Sequence, residues 1–218
     1  MIAMKEFSDF PSKEQFGIGT ESFVRKEPRD AMYKVATFLI NYYWDKGDTR
    51  NITDALSVLL LTWNQAFYRY GFFDEDALER AIKSNLGVLR EIRNREFTVT
   101  EDNLTKVDKL FNEFLCSLEI VKTPDGKATK RRRSPVAVAK ALHLLAPRFF
   151  PIWDYKIANS YKCNYSKDPA AAYVKFCKTS EKMVNLAKSW GYKDRAEKSV
   201  LKLVDEYNYA HYTKRWDK

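Results

Sequence analysis

Apolar residues recur three and four positions apart along most of this chain, the period of helices that bury one face. The pattern starts after residue 27. Pro28 suits a first helical turn, and Ala31, Val35, Phe38, Leu39 and Tyr42 follow in register as far as the stop Lys46-Gly47-Asp48. The next segment, capped by Asn51 or Thr53, reads DALSVLLLTWNQAFYRYG; it is apolar on nearly all sides, which predicts a central core helix closed by Gly71. Asp74 opens another helix, with Leu78, Ile82, Leu86, Leu89 and Ile92 on one face. A short extended piece, Phe97-Thr98-Val99, precedes a helix opened by Thr100, with Leu104, Val107, Leu110, Phe111, Phe114, Leu115 and Leu118 in its stripe. Acids sit in the first turns of both, where the helix dipole favours them.

Further on, SPVAVAKALHLLAP predicts a helix capped by Ser134 with Pro135 in its first turn. A proline-bounded turn, PRFFPIW, leads to Asp154 at the start of another. Asp168-Pro169 opens a long helix through Trp190, with Tyr173, Phe176, Met183, Leu186 and Ala187 in register, and Gly191 stops it. Asp194 begins the last helix, which carries Val200, Leu203, Val204, Tyr207 and His211 and ends in Lys214-Arg215. Residues 1–27, with Pro11, Gly17 and Gly19 among mixed polar residues, read as an irregular arm. No segment reads as strand and no repeat emerges. The expectation is an all-α fold of about eight helices, a single helical domain over 28–218, with a break in composition at 122–134 that marks either a hinge between two lobes or a long loop.

Composition narrows the function classes. The net charge of +9 implies attraction to polyanions, and the 15% aromatic share adds stacking surface, so nucleic acid is the favoured partner. No apolar run is long enough to span a bilayer, and MIAMKEFSDF lacks the layout of a signal peptide, so an intracellular protein is expected. Cys116, Cys163 and Cys177 are widely spaced and form no CxxC pair, which reads as reduced structural thiols rather than a disulfide framework or zinc site. There is no P-loop, GxGxxG, HExxH or GxSxG, and neither a metal nor a cofactor is expected.

Candidate chemistry concentrates between Val121 and Cys163. Lys122, Lys127, Lys130, Arg131, Arg132 and Arg133 face one acid, Asp125, a flexible basic loop suited to neutralising phosphates, with Ser134 at its end. Its bland reading is a solvated loop or a localisation signal. In the apolar helix that follows, Lys140 and His143 share a face. Lys140 is either a desolvated nucleophile or a lysine whose stem packs while its ammonium reaches solvent. His143 is either a base-pocket residue or a hydrogen-bonded core histidine. Asp154 serves as a helix cap, as a carboxylate that stabilises developing positive charge, or as both. Upstream, Trp63, Asn64, Gln65, Tyr68 and Arg69 are polar and aromatic groups unusual for a central helix; Trp63, Tyr68 and Trp153 suit stacking on a base, and Gln65 or Asn64 reading its edge.

The stretch from Pro135 to Ile157 resembles a segment of the helix-hairpin-helix DNA glycosylase superfamily, which includes the archaeal 8-oxoguanine glycosylases. The parts that correspond are the 122–134 loop in the place of the phosphate-binding hairpin, the helix VAVAKALHLLA, the turn PRFFPIW and Asp154 at the head of the next helix. LLLTWNQAFYR with Gln65 is similar to that family's early helix at the base pocket. The resemblance implies two helical lobes around a cleft, duplex DNA with a modified base as partner, and hydrolysis of an N-glycosidic bond with Asp154 as the essential carboxylate. Two departures stand out. TPDGKATKRRR replaces the usual Leu-Pro-Gly-x-Gly of the hairpin, and no lysine lies about nineteen residues before the aspartate, where Ser134, Pro135 and Val136 stand. Lys140, fourteen residues before Asp154, either takes over that role or leaves base removal to water and Asp154. The alternative is a helical module that binds nucleic acid or a partner without chemistry.

Overall fold

The computed structural model describes residues 9–195 and 198–217. In chain order its elements are α1 (Lys13–Lys26), α2 (Ala31–Asp45), α3 (Thr49–Trp63), α4 (Gln65–Tyr68), α5 (Glu75–Ile92), α6 (Glu101–Ser117), β1 (Ile120–Lys122), β2 (Ala128–Arg132), α7 (Pro135–Leu145), α8 (Tyr155–Ser160), α9 (Pro169–Ser189), α10 (Val200–Asn208) and a π-helix, Tyr209–Lys214. With 66% of the chain helical, the fold is all-α. The chain divides into two compact units, one of residues 30–152 and one of residues 1–29 with 153–218.

In the 30–152 unit the apolar segment becomes α7, whose Ala137, Val138, Ala139, Ala141, Leu142, Leu144 and Leu145 are all buried. Helices α2, α3 and α6 pack on it, and α3 and α6 also contact α5. Capping was legible. Ser134 Oγ accepts from Ala137 N (3.2 Å) with Pro135 following, Asp74 accepts from the amides of Asp76 and Ala77, and Thr100 from that of Asn103. Helix α3 differs from expectation at both ends. Asp48 caps it, and it breaks at Asn64 rather than running on to Gly71. Pro28 lies outside α2, which starts beyond a left-handed Asp30 (φ 38°).

Residues 122–134 are more ordered than a long loop. They form most of an antiparallel hairpin, β1 with β2, inside the 30–152 unit, and the divisions between units fall instead at 29/30 and 152/153. Phe72 bridges to Lys122 on the outer side of β1. Gly71 makes this approach possible: its φ is +152°, and a Cβ there would lie 2.1 Å from the carbonyl oxygen of Lys122.

The other unit begins with α1, where an irregular arm was expected. Ser12 and Gln15 form a reciprocal capping box, and Phe16 enters a core with Met183, Ala187, Val200, Val204 and Tyr207. Gly19, which reads as a breaker, lies against that core: a Cβ would fall 2.5 Å from the Tyr207 ring. Helix α1 packs on α10 and the π-helix, α9 packs on α10, and α8 on the π-helix. Gly191 (φ +96°) directly follows Trp190, the C-cap of α9. Asp194 precedes α10 without capping it; Ser199 is the cap, and Asp194 Oδ1 accepts from Val200 N (2.7 Å). Cys163 and Cys177 are buried and Cys116 is exposed; burial raises the Cys163 thiol to about 11.

Gly71→Ala forces both a strained φ and a backbone clash, and is expected to cost about 2–4 kcal/mol in urea unfolding. Gly87→Ala, within α5 and with nothing near its Cβ, is expected to stabilise by about 0.5–1 kcal/mol in the same assay.

Candidate nucleic-acid interface

The strands of the hairpin alternate in what their cations do. Arg131 and Arg133 point to one carboxylate, Glu119, whose side chain is 5% exposed: Arg131 Nη1 donates to Oε1 (2.7 Å) and Arg133 Nε to Oε2 (3.1 Å). Lys127 pairs with Asp125 (2.9 Å) at the turn, where Thr123 and Lys127 also exchange backbone and side-chain bonds. Lys122, Lys130 and Arg132 are exposed, and none forms an ion pair among the described residues. The guanidinium of Arg132 lies over the ring of Tyr70 (5.0 Å), and that of Arg69 over the same ring (4.6 Å). Tyr70 and Phe72, on either side of Gly71, are 46% and 44% exposed. At the base of this face an open groove of ≈ 370 Å³ is lined by Leu61, Phe72, Phe73, Asp74, Glu75, Asp76 and Lys122. Cations and acids therefore meet at Lys122, which lines the groove together with the acidic first turn of α5.

Tyr70, Phe72 and Glu119 were missed by sequence reasoning, and Arg69 stood out only as a polar residue at the end of the apolar segment. The signal was present in Arg-Tyr-Gly-Phe, aromatics alternating about a glycine directly before an acidic helix start, but it was absorbed into a long helical stripe.

Of the residues expected at a base pocket, Trp63 and Asn64 meet Lys140 at the end of α3, and Trp153 belongs to the other unit. Within the 30–152 unit, Lys140 Nζ donates to Trp63 O (2.9 Å) and Asn64 Oδ1 (2.7 Å) and lies over the Trp63 ring (5.1 Å). This places an ammonium on the Trp63 carbonyl and on the side chain of the C-cap Asn64 at the end of α3, a favourable position for a cation. Asn64 Nδ2 reaches Ser134 Oγ at 3.4 Å. His143 is fully buried. Its Nδ1 meets Phe150 O (2.6 Å), which can only accept and so places a proton there; in the neutral ring Nε2 accepts from the Tyr33 hydroxyl (3.1 Å). Tyr68 is buried and donates to Leu118 O (3.1 Å), and burial raises its phenol well above the ordinary range. Gln65 is exposed on α4 and Trp63 half-buried.

Trp153 and Asp154 belong to the other unit. Trp153 is fully buried, packed on Tyr165, Tyr173 and Phe176, so it offers no stacking face. Asp154 caps α8: Oδ1 accepts from Ile157 N (2.9 Å), and Oδ2 accepts from Thr213 Oγ1 (2.5 Å) on the π-helix. Asp154 and Lys140 thus sit in separate units, each engaged at a helix terminus. Among the described residues no group of three or more His, Cys, Asp and Glu side chains is placed to hold a metal ion, and no helix is long and apolar enough to cross a membrane. Compared with protein-family models, curated proteins and solved structures, the chain matches none.

Removing Arg131 and Arg133 together leaves the Glu119 carboxylate without its partners. Arg131→Ala/Arg133→Ala is expected to lose roughly 2–3 kcal/mol in urea unfolding once solvent entering the vacated space is allowed for, whereas Lys130→Ala/Arg132→Ala stays within about 0.5 kcal/mol of the parent.

Proposed function

We propose that the chain is a nucleic-acid-binding protein that works through the outer face of the hairpin. The observation that carries this is the stack of Arg69 and Arg132 on an exposed Tyr70, beside an exposed Phe72 and the unpaired ammoniums of Lys122 and Lys130. Cations that no carboxylate neutralises suit phosphate contact, and guanidinium planes with open aromatic rings suit stacking on unpaired bases. The acidic turn Asp74–Asp76 repels phosphate, so the backbone runs along the hairpin and bases turn toward Phe72 and the groove.

Fluorescence anisotropy with labelled single-stranded and duplex oligonucleotides tests this. Lys130→Ala/Arg132→Ala is expected to weaken binding at least tenfold and to flatten the salt dependence by about two phosphate contacts. Tyr70→Ala is expected to weaken single-strand binding by about tenfold. An affinity that does not change with salt, or no binding at low salt, refutes the proposal. Arg131 and Arg133 are unsuited to this experiment because they stabilise the hairpin.

Base excision is the second reading. The observation in its favour is Asp154, half-buried at the head of α8, where the resemblance to the glycosylase superfamily calls for a carboxylate. Water rather than Lys140 is the nucleophile on this reading, because Lys140 is held by the end of α3. Asn is as good a helix cap as Asp, so Asp154→Asn separates the two roles. Release of a modified base by the parent and its loss in Asp154→Asn, with binding and Tm kept, is the outcome expected from catalysis; no abasic product from any modified oligonucleotide leaves Asp154 a cap alone.

A further inference from the structure

Helix α2 has apolar residues on two sides. Tyr33, Ala36 and Ile40 are buried in the 30–152 unit, where α2 packs on α3 and α7. Away from them Met32, Val35, Phe38 and Tyr42 recur at helical spacing and are 41%, 57%, 68% and 48% exposed. The rings of Phe38 and Tyr42 stack at 6.4 Å, 20° from parallel, and Lys46 covers one face of Tyr42. A helix whose second side meets water carries polar residues there; three turns of large apolar side chains mark a contact surface.

The charges beside the stripe specify what fits it. Lys34 and Asp45 are separated by eleven residues, about three turns, so they lie on the same edge of α2 at opposite ends. Both are exposed and neither is within ion-pair distance of an opposite charge among the described residues, although Asp45 lies near enough to the buried guanidinium of Arg93 to favour its charged form. When two helices pack antiparallel about a two-fold axis, each edge faces the same edge of the partner read backwards. We propose that the α2 face is covered by α2 of a second copy of the chain in this arrangement. An axis near Phe38 and Leu39 brings the two Phe38 rings together, sets Val35 against Tyr42 of the partner subunit, and places Lys34 within about 3 Å, along the axis, of Asp45 of the partner subunit. Symmetry repeats each contact. A parallel pair brings neither charge pair together, and a membrane surface calls for a predominantly basic flank that Asp45 interrupts. The proposal stands independently of nucleic-acid binding, since none of its residues lies on the hairpin face.

Sedimentation velocity on the full chain, from micromolar to submillimolar concentration, is the test. The parent is expected to show a concentration-dependent dimer. Phe38→Glu and Val35→Glu, both at exposed positions, are expected to be monomeric with unchanged far-ultraviolet circular dichroism. Lys34→Glu and Asp45→Lys are each expected to weaken the dimer about tenfold, and the double reversal to restore it to within about threefold. A parent that stays monomeric throughout, or a dimer that persists in Phe38→Glu and Val35→Glu, overturns the proposal. Charge reversals without effect on a dimer that Phe38→Glu abolishes overturn the antiparallel arrangement.

Discussion

The buried carboxylate of Glu119 organises the most basic part of this chain. Six cations over twelve residues repel one another, and such a segment with little apolar surface has no intrinsic reason to fold. Glu119 accepts from two of them, one on β2 and one just past it, and is itself almost out of water. Removing a carboxylate from water is unfavourable unless it is paired, so buried Glu119 depends on the two arginines, which themselves remain exposed. Lys122, Lys130 and Arg132 are then held on a fixed hairpin with no carboxylate paired to them among the described residues. Phe72 adds a further backbone pairing, with Phe72 N donating to Lys122 O at 2.8 Å and Val121 N to Phe72 O at 2.9 Å, so the aromatic pair Tyr70 and Phe72 is fixed to the same frame.

Buried polar groups elsewhere answer a different demand. An apolar core still contains helix ends, and each end leaves backbone groups in need of partners. Lys140 supplies an ammonium to the end of α3. Arg93 does the same for α7, donating to Leu144 O (3.2 Å) and to Leu145 O, with its guanidinium over Trp44 (4.4 Å). Burial lowers Arg93 to about 10, which leaves it charged at neutral pH. His143 ties the backbone of Phe150 to Tyr33. A polar residue in an apolar helix is therefore evidence of an unpaired neighbour as readily as of chemistry, and sequence position does not distinguish the two.

This explains what was legible. Helices with a capping residue, a first-turn proline and a clean stripe were found with their starts, as Ser134-Pro135 and Asp168-Pro169 show, because those signals are local. Helix α1 was missed because Gly17 and Gly19 look like breakers, while Gly19 reflects a close approach of Tyr207, remote in sequence. The hairpin was missed because strands of three and five residues, the second almost wholly exposed, have no apolar alternation to show. The basic cluster itself was visible from composition. That two of its arginines are structural was not, because their partner lies across a strand pairing.

The stretch around Asp154 shows the same limit from the other side. PRFFPIWD is continuous in sequence, yet Phe149, Phe150 and Ile152 are buried in one unit while Trp153 and Ile157 are buried in the other. A turn this rich in aromatics and proline has a sufficient structural cause in carrying the chain between two cores, and its aromatics need no base to explain them. Asp154 is the exception. Each carboxylate oxygen has two acceptor positions, and the bonds from Ile157 and Thr213 use one on each. The cap therefore leaves half of the acceptor capacity of Asp154 open on a side chain that is not fully buried, so its structural role does not displace a chemical one. Lys140 differs, because its known acceptors are the very groups that terminate α3, and taking the ammonium away leaves them unpaired.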